Sequence, residues 1–300
     1  MSIIVDENTT VVIQGMTGRE GSLRAKYMLE YGTKVVAGVT PGKGGTEVHG
    51  IPVYNTVKEA IKAQGKIDAA VSFVPGPLLK GAVYEAVDAG VEFLVAPVER
   101  IPIHDVIDMV TYARKNGVKM LGPGSLGVIS TDKAVLGWLG GSVDWASTLF
   151  TPGPVGVISR SGGQSGTVPW ALKVAGLGIS TALHIGTEPV LGLTMADVLK
   201  MYEKDDETKA VAIFGEIGGT LEEEAAEAVA NGDYTKPLVV FIAGAWAPEG
   251  MRFSHASSIV EKGRGTAQGK MKALTEAGAH VVESPEEIAP KISELIGVDA

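Results

Sequence analysis

The chain has 300 residues, 45% hydrophobic and 20% charged, which is long enough to bury the cores of two domains. A formal charge of −9 argues against nucleic acid or an anionic membrane as its main partner, and the absence of cysteine excludes disulfides, thiolate nucleophiles and cysteine-based zinc sites. The longest apolar run is too short to cross a bilayer and the N-terminus lacks signal-peptide features, so we expect a cytoplasmic protein.

Short β-branched runs alternate with helical patterns in the first half of the chain. The predicted strands cover residues 10–13, 34–39, 69–74, 92–96 and 119–121. The predicted helices between them cover residues 22–31, 57–63, 78–89 and 104–116. This alternation predicts βαβ units and a parallel sheet with helices on both faces.

The alternation breaks across residues 130–154, a stretch with several glycines, two tryptophans and a proline-rich turn, and we place the domain boundary there. A second series follows, with strands predicted at residues 155–158, 181–185, 210–214, 238–242 and 280–282. Its predicted helices cover residues 165–174, 194–202, 221–230 and 267–276. The predicted fold class is therefore α/β, with two doubly wound domains at residues 1–147 and 148–300.

Two glycine-rich turns follow the first two predicted strands. The first, Gly15-x-x-Gly18-x-x-Gly21, could set backbone N–H groups and a helix N-terminus against a phosphate, although the pattern also fits an ordinary tight turn. The second places Lys43 where a dinucleotide site needs an acidic side chain, which disfavours NAD and suits a phosphorylated ribose or another anion. Its glycine spacing is one residue short of a P-loop, so we expect no triphosphate site of that type.

The second series also contains turns whose residues could bind a ligand or take part in a reaction. Ser159-Arg160-Ser161-Gly162-Gly163-Gln164-Ser165 follows a strand, and its hydroxyl and N–H groups could hold a carboxylate or phosphate, or simply cap a helix. Glu216 stands at the exit of an apolar strand among glycines that would partly desolvate it. After it, Thr220-x-x-Glu223 has the pattern of a capping box, so we interpret the acidic run through Glu224 as structural.

One of the five histidines stands out. His255 is surrounded by small residues in Ser254-His255-Ala256-Ser257, which leave its ring free to act as nucleophile or base. The other four lie in a turn, a helix start and strand-like segments, where structural or exposed roles are expected. They are His49, His104, His184 and His280.

Five ordered segments together resemble the alpha subunit of succinyl-CoA synthetase over nearly the whole chain, and the related half of ATP-citrate lyase over the second domain. The matching segments are Gln14-Gly15-x-Thr17-Gly18, Gly38-Val39-Thr40-Pro41-Gly42-Lys43-Gly44-Gly45, Ser159-Arg160-Ser161-Gly162, Gly215-Glu216-Ile217-Gly218-Gly219 and His255-Ala256. The resemblance implies a Rossmann-like CoA-binding domain followed by a flavodoxin-like ligase domain.

The resemblance also implies a reaction through a phosphohistidine and an acyl phosphate. His255 would be phosphorylated by ATP or GTP with Mg²⁺, bound on a separate ATP-grasp beta subunit in an αβ or α2β2 assembly, and Glu216 would orient its ring. The residues implied to bind CoA are Thr17, Gly18, Arg19, Glu20, Lys43, Pro97, Val98 and Glu99. The residues expected to face a small carboxylic acid are Ser161, Gly162, Gly163 and Gly166.

The chain departs from the family pattern on the substrate side. Ser254 and Ser257 replace glycines around the histidine, and Gly166 and Thr167 stand where succinate enzymes have tyrosine and glutamate, which predicts a wider acyl pocket. Succinate is therefore the family default, and a bulkier acid such as citrate or malate is the alternative. A CoA-binding homologue without turnover is a further alternative; a NAD-dependent oxidoreductase is disfavoured by Lys43.

Overall fold

The computed structural model describes residues 3–246, 260 and 265–298. Within these residues the strands are β1 (Thr10–Gln14), β2 (Lys34–Val39), β3 (Glu47–Val48), β4 (Ile51–Tyr54), β5 (Ala69–Ser72), β6 (Phe93–Val95), β7 (Lys119–Leu121), β8 (Gly127–Ser130), β9 (Ala134–Gly137), β10 (Pro152–Ser159), β11 (Ile179–His184), β12 (Ala210–Glu216), β13 (Leu238–Ala243) and β14 (His280–Val282). The helices are α1 (Arg19–Tyr31), α2 (Val57–Gln64), α3 (Gly76–Asp88), α4 (Ile103–Lys115), α5 (Val143–Leu149), α6 (Thr167–Val174), α7 (Met195–Glu203), α8 (Leu221–Ala230), α9 (Ala267–Glu276) and α10 (Ile288–Ile296), with a 3₁₀ turn at Pro285–Glu287.

The first sheet has the strand order β3-β4-β2-β1-β5-β6-β7 and is parallel except for β3. The five strands predicted for the first half are confirmed within two residues at each end. The edge hairpin of β3 and β4 was not predicted, because β3 has only two residues and Pro52 interrupts the strand pattern of β4.

The second sheet has the order β14-β13-β12-β10-β11-β8-β9. Its first five strands are parallel, and the hairpin of β8 and β9 adds to β11 in antiparallel pairing. Sheet membership therefore changes between Leu121 and Gly127, before the stretch in which we placed the boundary. The sequence did not predict the hairpin because its two strands have four residues each and no helix separates them.

The two sheets share a continuous apolar core through α1. The Tyr27 hydroxyl of α1 donates to the backbone oxygen of Leu139, and Thr33 Oγ1 donates to the backbone oxygen of Val135 at 2.8 Å. Buried residues of α1, of the hairpin and of β10 belong to one cluster, whereas the face of the first sheet under α3 and α4 has a cluster of its own. Packing thus joins the two predicted domains into one body.

None of the helices within residues 3–246 and 265–298 is both long and apolar enough to span a membrane.

Candidate functional site

The carboxyl edge of the first sheet opens a crevice between β1 and β5. β1 pairs with β2 on one side and with β5 on the other. The order of the strands therefore reverses at β1, and ligands of doubly wound sheets bind at such a reversal. Gly15 follows β1 with φ +78°, and a Cβ added there would lie 2.2 Å from the backbone oxygen of Phe73. Glycine is required for the two turns to approach this closely.

Four of the residues implied to bind CoA line the start of α1 at this crevice: Thr17, Gly18, Arg19 and Glu20. The Thr17 N–H donates to Thr40 Oγ1 at 3.4 Å, and the other three residues are exposed. Because α1 begins at Arg19, the N–H groups of its first turn have no acceptor within the helix. They are arranged to receive an anionic group such as a phosphate.

Lys43 follows β2, the strand next to β1, in a loop that a single side chain organises. Asn55 Oδ1 accepts hydrogen bonds from the N–H groups of Gly42 at 2.9 Å and Gly44 at 3.0 Å. A Cβ at Gly44 would lie 2.4 Å from the Asn55 amide nitrogen, so the loop needs this glycine. Lys43 is exposed, and its ammonium group makes no ion pair with the described residues, so it can approach an anion held by α1.

Residues 97–99 follow β6 and contact the second half of the chain. The backbone oxygen of Val98 accepts from Gly124 N–H at 2.9 Å, and Thr187 Oγ1 donates to Glu99 Oε2 at 3.4 Å. The buried carboxylate of Glu188 accepts from Arg100 N–H at 2.5 Å. The predicted residues Pro97, Val98 and Glu99 therefore lie where the first sheet meets the loop after β11.

The segment between β7 and β8 connects the carboxyl edges of the two sheets. Its backbone oxygens at Gly122 and Pro123 accept from Gly192 N–H at 2.9 Å and Thr187 N–H at 3.3 Å. Ser125 Oγ donates to the backbone oxygen of His184 at 2.5 Å. The segment therefore bridges the carboxyl edges of the two sheets.

The turn after β10 is rigid and largely buried. Ser159 Oγ donates to the backbone oxygen of Ser161 at 2.8 Å and accepts from Ser161 N–H at 3.2 Å. Ser161 and Arg160 are buried, and Gly162 is half-buried. The Ser161 N–H is thus already used inside the turn, which removes one of the donors that we expected to face an anion.

His184, at the end of β11, supports this turn. Its Nδ1 accepts from Leu126 N–H at 2.9 Å, and its Nε2 lies 3.1 Å from the backbone oxygen of Arg160. These contacts assign the proton to Nε2, which donates to that oxygen, and they describe a neutral imidazole with a structural role. These contacts agree with the structural role expected for His184.

Gly163 and Gly166 line a cavity of about 910 Å³ between α1, α5, α6 and α10. Its walls are mainly apolar and include Trp138, Trp145 and Trp170. A Cβ at Gly166 would lie 3.1 Å from Leu149 Cδ2 of α5, so this helix takes up part of the space that a tyrosine would occupy.

Glu216 ends β12, and its residue is buried, as its apolar surroundings predicted. The adjoining carboxylate of Glu222, in the first turn of α8, is completely buried, and its Oε1 accepts from Glu216 N–H at 3.1 Å. Arg160 Nη1 lies 3.3 Å from Glu222 Oε2, and the Lys270 ammonium donates to the same oxygen and to Glu223 Oε2. Two buried cations thus converge on one buried carboxylate.

The charges around Glu222 determine its protonation. Burial alone would raise the pKa of the Glu222 carboxyl, but the positive charges of Arg160 and Lys270 and the hydrogen bonds that it accepts outweigh burial and lower that pKa. Glu222 is therefore ionised at neutral pH. This arrangement corrects the capping-box interpretation, because Thr220 has no side-chain cap bond and its hydroxyl donates to Glu224 instead.

His255 lies outside the described residues, and so do Ser254 and Ser257. The described residues on either side of that segment are bonded to the turn that follows Glu216. Ile217 N–H donates to the backbone oxygen of Ala243 at 3.1 Å, and Gly218 N–H donates to that of Gly265 at 2.8 Å. Both ends of the histidine-bearing segment therefore start beside Glu216.

Sequence reasoning missed Glu222 and Lys270, although helical spacing carries the signal. Glu222 shares the buried face of α8 with Ala225 and Ala226, and Lys270 shares the buried face of α9 with Ala267 and Leu274. A charge at the i, i+3, i+4 positions of an apolar face predicts a buried ion pair. Within the described residues there is no group of three or more His, Cys, Asp or Glu that could hold a metal ion.

Comparison with known proteins agrees with this geometry. A family model described as a CoA binding domain matches residues 6–99, and one described as CoA-ligase matches residues 158–280. The chain is 47% identical over 300 residues to the succinate–CoA ligase [ADP-forming] alpha subunit of Aquifex aeolicus, covering 99% of this chain and 96% of that protein. It is 42% identical over 297 residues to an ADP-forming sulfoacetate–CoA ligase subunit of Bilophila wadsworthia, covering 99% and 100%.

Among solved structures, the fold resembles ATP citrate lyase of Methanosaeta concilii, with a TM-score of 0.89 at 24% identity. The match covers 98% of this chain and 51% of that chain, so this chain spans about half the length of the lyase. The likeness in fold to the lyase thus extends over both sheets. The sequence motifs had indicated a resemblance to the lyase over the second domain alone.

Proposed function

This chain belongs to the succinate–CoA ligase alpha-subunit family, and from that premise we propose that His255 carries a phosphoryl group from a nucleoside triphosphate to a small carboxylic acid. The observation that carries the proposal is the position of Glu216, a buried residue whose following turn is bonded to both ends of the segment that contains His255. A carboxylate there can accept a hydrogen bond from the imidazole nitrogen that is not phosphorylated, fixing the tautomer and orienting the ring.

The reaction balances in three steps. An imidazole nitrogen of His255 attacks the γ-phosphorus and releases the nucleoside diphosphate. The substrate carboxylate then takes the phosphoryl group from the phosphohistidine to give an acyl phosphate. That transfer frees the imidazole of His255, and finally the CoA thiol attacks the acyl carbon, giving the thioester and releasing inorganic phosphate, which takes up the thiol proton.

CoA binds through the first sheet in this proposal. The N-terminus of α1 and the Lys43 ammonium receive its phosphates, since both present positive potential at the carboxyl edge of the first sheet, α1 after β1 and Lys43 after the neighbouring β2. Residues 97–99 and the segment between β7 and β8 contact the loop after β11 in the second sheet, and we propose that the thiol end extends along them toward the acyl group.

The nucleotide belongs to the beta subunit that completes the enzyme. We propose an ATP-grasp partner with ATP or GTP and Mg²⁺, in an αβ or α2β2 assembly, and we expect ADP formation because the relatives are named ADP-forming. The described part of the chain supplies the anion sites for CoA and phosphoryl groups, and the partner would supply the metal-bound triphosphate. With no cysteine that needs an oxidising compartment, the cytoplasm is the proposed location.

The identity of the acid is the second part of the proposal. Succinate is the family default, and the alternative is an acid of larger volume, such as malate or citrate, for which the cavity beside Gly163 and Gly166 has space. A relative named for sulfoacetate supports the idea that the acid varies on this scaffold.

The test uses the chain reconstituted with its cognate beta subunit, ATP, Mg²⁺, CoA and a panel of succinate, malate, citrate and sulfoacetate. We expect acid-dependent release of ADP and phosphate with formation of a CoA thioester, lost in His255→Ala and retained in His104→Ala. CoA binding without thioester formation from any acid would instead identify a non-catalytic CoA-binding homologue.

A further inference from the structure

We propose that Glu222 is a positioning residue for the ligase site, which holds the backbone of Glu216 and the turn after it in place through Arg160 and Lys270. The proposal rests on the function assigned above to Glu216. Glu222 is fully buried and contacts three separate elements, although it lies in an acidic run that usually faces solvent.

The two glutamates are bonded directly. Glu222 Oε1 accepts from Glu216 N–H at 3.1 Å, and the Glu222 side chain lies beside Gly215. A Cβ at Gly215 would lie 3.1 Å from that same oxygen and 2.8 Å from Ile242 Cδ1. The glycine before Glu216 therefore makes room for the carboxylate that holds Glu216.

The turn that follows Glu216 is held by the two cations. Gly218 and Gly219 have φ values of +84° and +61°, a left-handed conformation that glycine adopts without strain. Arg160 Nη1 donates to the backbone oxygen of Gly218 at 2.8 Å, and Lys270 Nζ donates to that of Gly219 at 3.1 Å. Both cations also contact Glu222, so one carboxylate fixes the donors that shape this turn.

The three charged residues come from separate parts of the chain. Arg160 follows β10, Glu222 begins α8, and Lys270 lies in the first turns of α9, beyond the segment that contains His255. The ion cluster therefore connects three parts of the fold: the turn after β10, the end of β12, and α9, which follows the histidine segment. A small displacement of Glu222 would shift all three at once.

Charge explains why a carboxylate is needed at this position. Arg160 and Lys270 are both buried, and removing the anion between them would weaken the charge compensation of both cations, which is strongly unfavourable in a protein interior even though Lys270 keeps its contact with Glu223. Glutamine has one acceptor oxygen and would turn its amide donors toward a cation. Aspartate keeps the charge but is shorter by one methylene, so it cannot keep all the contacts.

The experiment compares Glu222→Gln, Glu222→Asp and Glu224→Gln in the full chain with its beta subunit. Glu224 is the matched control because it lies two residues away, is half-buried, and within the described residues accepts a hydrogen bond from Thr220 without contacting Arg160 or Lys270. We expect Glu222→Gln to lower the rate of phosphoenzyme formation by about 10²-fold, the effect of misplacing a reacting group by about 1 Å, with CoA affinity unchanged. Glu222→Asp should lower the rate of phosphoenzyme formation by about tenfold, and Glu224→Gln should have the wild-type rate.

Two further readouts separate positioning from general destabilisation. Glu222→Gln removes one negative charge beside Arg160 and Lys270, which should lower the pKa of nearby groups that must lose a proton before the reaction. The acidic limb of the pH profile for phosphoenzyme formation should therefore move to lower pH in Glu222→Gln, whereas Glu222→Asp keeps the charge and should keep the wild-type limb. Amide hydrogen exchange without nucleotide should accelerate at the Glu216 amide in both Glu222 variants and remain unchanged in Glu224→Gln.

The outcomes are decisive in each direction. Unchanged exchange at Glu216 in both Glu222 variants would overturn the positioning role even if the wild type proved inactive. A folded Glu222→Gln with wild-type phosphorylation, or a loss of CoA affinity equal to the loss of rate, would do the same. Accelerated exchange together with an unphosphorylated wild type would instead refute the function proposed for His255 and leave the positioning of the Glu216 backbone standing.

Discussion

At the scale of single residues, two buried glutamates six positions apart differ in their surroundings. Glu222 is enclosed by Arg160 and Lys270 and stays ionised as part of the structure. Glu216 ends β12 at the carboxyl edge of the sheet, next to both ends of the segment with His255. The Glu222 carboxylate shapes the site, and in our proposal the Glu216 carboxylate takes part in the chemistry.

Glu216→Gln should reduce phosphorylation far more than it reduces CoA binding. The amide cannot balance the positive charge that develops on the ring of His255, and orienting or acid–base groups typically contribute about 10²–10⁴-fold to rate. The measurement is single-turnover phosphorylation by the reconstituted enzyme, with CoA affinity by calorimetry as the control. Wild-type phosphorylation kinetics in this variant would leave Glu216 a structural residue.

The stability contributed by Glu222 should depend on pH. Because the pKa of this carboxyl is lower in the folded chain than in the unfolded chain, its contribution is complete above the unfolded value of about 4.3 and is lost as the pH falls through the folded value. Urea unfolding at neutral pH should show Glu222→Gln less stable by roughly 3–5 kcal/mol, the usual effect of breaking a buried ion pair. The difference should narrow as the pH falls toward 3, and a gap that widens on acidification would contradict the assignment.

At the scale of elements, the alternation of strands and helices was predictable because parallel strands are continuous apolar runs bounded by glycine turns. The hairpin of β8 and β9 was not, since its short strands gain stability only by pairing with β11. The turns after β1, β2, β10 and β12 were found from their glycines. The partners that hold those turns, such as Asn55 and Lys270, are distant in sequence and had no local signal beyond their place on a helix face or strand end.

Helix α5 controls the volume beside the turn after β10. Gly166→Tyr should narrow the cavity and push against Leu149, whose Cδ2 lies 3.1 Å from the position of the added Cβ. We expect kcat/KM for citrate and malate to fall relative to succinate by roughly 10–200-fold, the range for a contact worth about 1–3 kcal/mol. Gly81→Ala, in α3 outside this cavity, is the control, because an added Cβ there meets nothing within 4 Å. Equal ratios in wild type and Gly166→Tyr would show that the acid does not use this cavity.

At the scale of the whole molecule, α1 packs on the hairpin of the second sheet, so one face of the first sheet shares its core with the second sheet. We expect one calorimetric unfolding transition rather than two, with CoA raising its midpoint as a whole. In Tyr27→Phe, the buried backbone oxygen of Leu139 loses its donor, which should lower stability by about 1–3 kcal/mol. Two resolved transitions, only one of them shifted by CoA, would contradict the shared core.

The central claim is that His255 carries the phosphoryl group, and direct labelling tests it. The chain with its beta subunit, Mg²⁺ and γ-labelled ATP should acquire one label that is stable in base and labile in acid, and that is discharged by ADP or by the acid substrate together with CoA. The label should be absent in His255→Ala and unchanged in His280→Ala, which removes an exposed histidine of β14. An undiminished label in His255→Ala would contradict the account.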